Sequence, residues 1–171
     1  GGIEPAPAIA FARATNDAMA ALVASHPEKL LGAAQLPMQD PEAAIVELDR
    51  AIGELGLVAA YIGTDYGMTL DDRRLDDLYR RVVELDVPLF VHGVTNDGRG
   101  PVADARRRRF GLDLIVGYTY EETLAVASLV LGGVLDRHPG LDVCISHGGG
   151  AIAFLAQRFD SMANFQGRES D

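Results

Sequence analysis

The apolar positions of the chain alternate between short continuous runs and longer stretches with helical spacing. The short runs are typical of buried strands, and the longer stretches are typical of helices that bury one face. Strands are predicted over 30–36, 58–63, 88–92 and 142–146, and helices over 8–25, 41–55, 71–85, 124–135 and 151–162. This alternation predicts an α/β fold in which helices cover a parallel sheet.

Two of the predicted helices begin with recognisable capping signals. Asp40 precedes Pro41, so the aspartate can accept a hydrogen bond from the first turn while proline suits the first helical position. Thr119 and Glu122 have the S/T-x-x-E spacing of a capping box. The second signal predicts a helix that starts at Thr119.

Two architectures are compatible with four such strands, a (β/α)₈ barrel and an open doubly wound sheet. A complete barrel typically needs about 250 residues, whereas this chain has 171. Length alone therefore favours the open sheet, and only the residues at the strand ends change that balance.

Two of the four histidines come at the ends of predicted strands. His92 ends the run PLFVH and His147 ends VCISH, and each is followed by glycine. In parallel α/β folds such ends meet at one cleft, where an imidazole can bind a metal or transfer a proton. His26 and His138 each precede a proline at a helix end and are expected to be capping or solvent-facing residues.

The composition narrows the classes of partner. The chain carries a formal net charge of −10 at pH 7, which argues against a nucleic-acid or anionic-membrane partner. No apolar run approaches the roughly 18 residues of a membrane span, and residues 1–5 lack the basic and apolar regions of a signal peptide. A cytoplasmic protein without a membrane partner is expected.

Three further features of the sequence can be explained by structure alone, although a functional role is considered for some of them. The run 148–150 is all glycine and predicts either an anion site at a helix start or a tight strand-to-helix turn. The arginine run 106–109 is expected to be a solvated loop, although one of its cations could meet an acidic substrate. Cys144, the one cysteine, is expected to be an inert core residue in a strand.

Longer motifs resemble one enzyme family. The segment LGGVLDRHPGLDVCISHGGGAIAFLAQR closely resembles the amidohydrolase-related decarboxylases of the aminocarboxymuconate-semialdehyde decarboxylase type. The pieces HPEKLLGAAQLPMQDPEAA, YIGT, TLDDRRLDDLY and PLFVHG agree with the same family. The resemblance runs from about residue 14 to 162, and it changes the expected architecture to a (β/α)₈ barrel.

The resemblance implies a metal-dependent enzyme with one divalent cation, most often zinc and in some members manganese. It implies decarboxylation of a small acidic, often aromatic-derived carboxylate, with His92 as a metal ligand and His147 as the general acid/base. Arg158 corresponds to an arginine that reaches a neighbouring subunit's site and holds a substrate carboxylate, which implies a homodimer. Thr64 and Asp65 follow the YIG strand and correspond to pocket-lining positions.

The chain departs from the family pattern in its metal ligands. The family begins with a strand ending in His-x-His and ends with a late aspartate ligand, and neither occurs here. A catalytic zinc takes about three protein ligands, so residues 1–171 are expected to form a single domain, the central part of a barrel without its first and last strands. Two other functions stay open: a lactone or amide hydrolase or a hydratase on the same scaffold, and a non-catalytic remnant or fragment that lacks a full metal site.

Overall fold

The computed structural model describes residues 4–94, 106 and 109–166, with side chains up to residue 161. Helices and strands alternate along these segments, and every predicted strand is present in a shorter form. In chain order the elements are α1 (Pro5–Ser25), β1 (Ala33–Gln35), α2 (Pro41–Gly53), β2 (Ala59–Gly63), α3 (Asp76–Glu84), β3 (Leu89–His92), α4 (Tyr118–Leu131), α5 (Val134–Arg137), β4 (Val143–Ile145) and α6 (Ile152–Gln166).

The four strands form one sheet in the order β1-β2-β3-β4. Each pair of neighbours is parallel, which confirms the predicted parallel sheet. Each strand therefore lies beside the one that precedes it in the chain. This order is that of a (β/α)₈ barrel, because a doubly wound sheet reverses its strand order at a switch point.

The two capping predictions had different outcomes. The Asp40 side chain accepts a hydrogen bond from the Ala43 backbone N–H at 3.1 Å, as predicted. The predicted start at Thr119 is wrong, because a π-helical turn over Asp113–Gly117 already runs into α4. The Thr119 hydroxyl donates back to the Val116 carbonyl at 3.0 Å, and Glu122 is fully buried rather than turned back on the helix start.

One face of the sheet is covered by helices. Side chains of alternate strand residues point to this covered face and are almost completely removed from solvent. They join a single apolar core with residues of α2, α3 and α4, and such burial is the main stabilising contribution to a fold of this kind. The strand residues are Ala34, Ala60, Ile62, Leu89 and Val91, and their helix partners include Leu48, Leu78, Val82 and Leu129.

The opposite face of the sheet is open in the part of the chain that the structure describes. Gln35 pairs with Tyr61, Tyr61 with Phe90, and Phe90 with Cys144, so these four residues form a row across all four strands. Phe90 is 37% exposed, and Cys144 is exposed. The prediction of a buried Cys144 is therefore wrong, because its position in the alternation places it on this open face and not on the covered one.

A buried polar cluster fastens α1 to the first strand. The Asn16 amide binds both backbone groups of Gln35, accepting from its N–H at 2.8 Å and donating to its carbonyl at 3.0 Å. Asn16 also donates to Glu47, which pairs with Arg50 at 2.7 Å. Burial opposes the charge on Glu47, but the hydrogen bonds from Arg50 and Asn16 outweigh it and hold the pKa of Glu47 below its ordinary value.

The two remaining histidines lie at helix ends, as predicted. His26 is the exposed C-cap residue of α1. His138 is the C-cap residue of α5, but its side chain is largely buried and its Nε2 lies 3.1 Å from Asp76 Oδ1. His138 is therefore a capping residue, one of the two roles expected for it, and its ring is turned towards Asp76 and away from solvent. Of the arginine run 106–109, residues 107 and 108 lie outside the described residues, and the two described arginines are exposed.

One helical run among the described residues, Asp113–Leu131, is long and apolar enough to cross a membrane by length and composition. The apolar pattern of the sequence does not predict such a run, because Glu121 and Glu122 interrupt it. A single run of this kind is weak evidence for a membrane span, since core helices of globular domains also satisfy the criterion.

Candidate active site

An open cleft of about 370 Å³ lies at the carboxyl ends of β1, β2 and β3. Parallel α/β barrels place their chemistry at this end of the strands. The cleft is lined by Gln35, Tyr61, Gly63, Tyr66, His92, Gly93, Val94 and Tyr118.

His92 is the last residue of β3, and its ring is held by the backbone of the residue that follows it. Its Nδ1 lies 2.9 Å from the carbonyl oxygen of Gly93. A carbonyl only accepts hydrogen bonds, so Nδ1 carries the hydrogen and Nε2 has a free lone pair. A metal-ligating histidine characteristically donates its second ring N–H in this way, and His92 is therefore suited to be a metal ligand through Nε2.

His147 lies in the turn after β4 and has an unusual backbone conformation. Its φ is +47° and its ψ is +35°, and Gly148 continues with φ of +67°. A non-glycine residue in this region costs about 1 to 3 kcal/mol and is found most often at functional sites. The turn brings the His147 ring to 5.1 Å from the His92 ring, measured between centroids. The two histidines predicted to share a cleft are thus neighbours.

Glu122 of α4 is the residue of this site that sequence reasoning missed. Its Oε1 lies 2.7 Å from His147 Nδ1 and accepts the Gly93 backbone N–H at 3.1 Å. The side chain is fully buried. A signal was present in the sequence, because Glu122 shares the helical spacing of the buried residues Ala125 and Leu129 and so lies on the buried face of α4.

The glycine run after His147 makes a tight turn against α4. Gly150 has a φ of +68°, and a Cβ there would overlap the Thr119 carbonyl oxygen. The hydroxyl of Thr123 accepts the Ala151 N–H at 2.8 Å and donates to that same carbonyl at 2.6 Å. Of the two interpretations of the run, this geometry favours the tight turn.

Three tyrosines, Tyr61, Tyr66 and Tyr118, line the cleft together with His92. The Tyr118 ring lies parallel to that of His147 at 5.8 Å and edge-on to that of His92 at 5.3 Å. The Tyr66 hydroxyl accepts the Gly63 backbone N–H, and burial raises the pKa of Tyr66 to about 12. Burial also raises the pKa of Tyr61. The cleft therefore presents phenol groups and aromatic faces beside His92, and the Tyr118 ring also lies against that of His147.

The predicted substrate-binding residues occupy different places. Thr64 is buried at the end of β2, and its hydroxyl accepts the Val94 N–H at 3.0 Å, which ties the ends of β2 and β3 together. Asp65 follows it, and its Oδ1 accepts the Gly67 N–H at 2.7 Å within the same turn. Arg158 is exposed on α6. None of the three is among the residues that line the cleft.

The residues present fit part of a metal centre. His92 offers one nitrogen ligand, and no group of three or more His, Cys, Asp or Glu side chains within residues 4–94, 106 and 109–161 is arranged to hold a metal ion. The sequence supplies one well-placed ligand, His92, and contains no His-x-His motif.

Comparison with curated proteins finds relatives of related activities. The chain is 35% identical over 158 residues to the 2-amino-3-carboxymuconate-6-semialdehyde decarboxylase of Dictyostelium discoideum, covering 92% of this chain and 43% of that protein. It is 34% identical to the gamma-resorcylate decarboxylase of Rhodococcus jostii, covering 90% and 49%. It is 32% identical to the 2-keto-4-carboxy-3-hexenedioate hydratase of a Sphingobium species, covering 92% and 46%. The chain thus spans a little under half the length of these relatives.

Solved structures agree with these relatives. The 5-carboxyvanillate decarboxylase of Sphingomonas paucimobilis superposes with a TM-score of 0.86 at 27% identity, over 95% of this chain and 48% of that one. A dihydroxybenzoic acid decarboxylase of a Polaromonas species, solved with bound manganese and an inhibitor, superposes with a TM-score of 0.77 at 29% identity, over 91% and 48%. The four parallel strands and their helices are therefore a part of a (β/α)₈ barrel.

A match over almost the whole chain identifies the family to which it belongs. Residues 4–166 match the model of the family described as Amidohydrolase. The match includes both strand-end histidines and the helix that carries Glu122. The chain belongs to this amidohydrolase family.

Proposed function

We propose that the protein is a metal-dependent decarboxylase, a carbon–carbon lyase that acts on a small acidic carboxylate of the aromatic-derived class. The observation that carries this proposal is the pair of imidazoles 5.1 Å apart at the carboxyl ends of β3 and β4, each with Nδ1 engaged by the protein. The decarboxylase relatives supply the reaction class.

In this proposal His92 supplies one ligand to a divalent cation. Zinc is the expected ion and manganese the alternative, since one neighbouring structure contains manganese. A bound divalent ion polarises carboxylate oxygens as a Lewis acid. The remaining ligands would come from outside the described residues, in keeping with a chain that forms the central part of a barrel, without the first and last strands.

His147 would transfer the proton. Its Nδ1 is bonded to Glu122, so Nε2 is the atom that faces the substrate. Nε2 would first take up a proton from solvent while the Nδ1–H stays bonded to Glu122. Decarboxylation then breaks the bond between the carboxyl carbon, which leaves as CO₂, and the carbon that bears it. The carbon left behind takes that proton from Nε2. Tyr118 lies parallel to the His147 ring and would form a wall against an aromatic substrate.

The other expected residues would act at the edges of the site. Arg158 would hold a substrate carboxylate in the site of a partner subunit, which requires a homodimer. Thr64 and Asp65 would shape the turn beside the cleft. A cytoplasmic location and a small-molecule partner, with no nucleic-acid partner, complete the proposal.

The test measures CO₂ release and metal content together. Purified protein is incubated with gamma-resorcylate and with 5-carboxyvanillate, and CO₂ is quantified. His147→Asn is expected to lower turnover by about 100-fold or more while metal stays bound. His92→Ala is expected to lose metal. The matched control is His26→Asn, at the exposed end of α1, which should behave as wild type.

Two other outcomes of this test would favour the alternative functions. Water addition to a substrate without CO₂ release would favour a hydratase, for which one relative is named, or a lactone or amide hydrolase. A protein that binds no metal and turns over neither probe would favour a non-catalytic remnant.

A further inference from the structure

We propose that Glu122 is a positioning residue that fixes His147 as the tautomer with hydrogen on Nδ1, leaving the Nε2 lone pair available to the cleft. The tautomer follows from contacts of this chain alone. Its effect on turnover rests on the proposed function of His147.

The first argument is the burial of the Glu122 carboxyl group. The side chain has no exposure to solvent, and burying such a group is costly unless it is well hydrogen-bonded. Both of its donors meet Oε1, while Oε2 has no hydrogen-bond partner among the described residues. The hydrogen bonds that hold this carboxyl group in the interior are therefore the two at Oε1, and the His147 ring makes the shorter of them.

The second argument is the direction of the hydrogen bond. A carboxylate has only acceptors, so at 2.7 Å from Oε1 the Nδ1 of His147 must supply the hydrogen. A glutamine at this position could accept or donate and would permit either tautomer of the ring. The carboxylate therefore specifies a chemical state of His147 that an amide of the same size would not.

The third argument is the position of Glu122 between the two histidine-bearing strand ends. The same Oε1 accepts the backbone N–H of Gly93, the residue after His92. One carboxylate thus contacts the end of β3 and the turn after β4. The His147 ring also contacts the rings of Tyr118 and His92. Those ring contacts do not decide which nitrogen carries the hydrogen, whereas the bond to Glu122 does.

The experiment reads the tautomer directly. The protein is labelled with ¹⁵N-histidine, and the ring nitrogen shifts of His147 are assigned by their loss in His147→Asn. In wild type, His147 should show a protonated Nδ1 and an unprotonated Nε2. In Glu122→Gln the two nitrogen shifts should move towards each other as both tautomers become populated. His26 is the internal control, because it lies at the exposed end of α1 and has no contact with Glu122 or His147.

Glu121→Gln is the matched variant, since it removes the same charge one residue away and should leave the His147 shifts unchanged. A wild-type His147 with hydrogen on Nε2 would overturn the proposal, even where Glu122→Gln does not fold. Equal His147 shifts in wild type and a folded Glu122→Gln would overturn it as well.

Activity supplies a second readout. With either probe substrate, Glu122→Gln should lower kcat by about 10- to 100-fold with little change in KM or metal content. If the wild-type protein decarboxylates neither probe, the proposed function fails, while the ring shifts still decide the tautomer. Unchanged kcat with shifted ring nitrogens would remove the catalytic consequence and leave Glu122 as a structural contact.

Discussion

The two faces of the sheet are made by the same strands but have opposite character. Leu89 and Val91 of β3 point to the covered face and are fully buried, while Phe90 and His92 point to the open face. The covered face is uniformly apolar, and the open face carries an amide, a phenol, a phenyl ring, an imidazole and a thiol. The comparison teaches that strand alternation separates what holds this domain together from what can do chemistry.

The largest loss of stability is expected for a substitution at Gly150, in the turn that follows β4. Gly150→Ala should destabilise the protein by about 3 to 5 kcal/mol, because its Cβ would overlap the Thr119 carbonyl and its φ is +68°. Gly148→Ala is the matched control: it has a similar φ of +67° but open space around it, so about 1 to 2 kcal/mol is expected. Urea denaturation measures both, and equal losses would show that space at Gly150 is not limiting.

A smaller difference is expected between adjacent residues of β3. Leu89→Ala should lower the free energy of unfolding by about 2 to 5 kcal/mol, because it leaves a cavity in the apolar core. Phe90→Ala removes a larger side chain but one from the open face, and about 1 kcal/mol is expected from lost cross-strand contacts. A loss at Phe90 as large as that at Leu89 would mean that the open face is covered in solution.

The smallest effect on stability is expected at Cys144, also on the open face. Cys144→Ser should change the free energy of unfolding by less than about 0.5 kcal/mol. In the 171-residue chain by itself, the wild-type thiol should react with a small disulfide reagent in the folded state at a rate close to that in denaturant. In a complete barrel this face is the packed interior, and the thiol should be protected. Protection of the thiol in the chain by itself until it unfolds would contradict an open face and would show that other residues pack on it.

Much of the fold could be predicted because it is encoded locally. The four strands follow from short apolar runs, and the start of α2 follows from Asp40 and Pro41, whose cap is formed by neighbours in the chain. The strand-end positions of His92 and His147 follow from the same patterns. These features need no knowledge of distant residues.

The errors arise where a local pattern competes with a distant contact. Thr119 and Glu122 have the spacing of a helix cap, but Glu122 instead contacts Gly93 and His147, which are far from it in the chain. Cys144 lies in an apolar strand, but which face it occupies depends on how the strands pair. In each case the deciding partner belongs to another element.

The contact of Glu122 with both strand ends bears on how this family could diversify. Helix α4 contacts the end of β3 and the turn after β4 directly, and Thr64 separately fastens the backbone at Val94. A shift of α4 along the sheet would therefore move Gly93 and His147 together. We expect homologues to keep α4 in register with the two strand ends, so that selectivity for new compounds evolves at exposed positions around the site while the reacting groups keep their alignment.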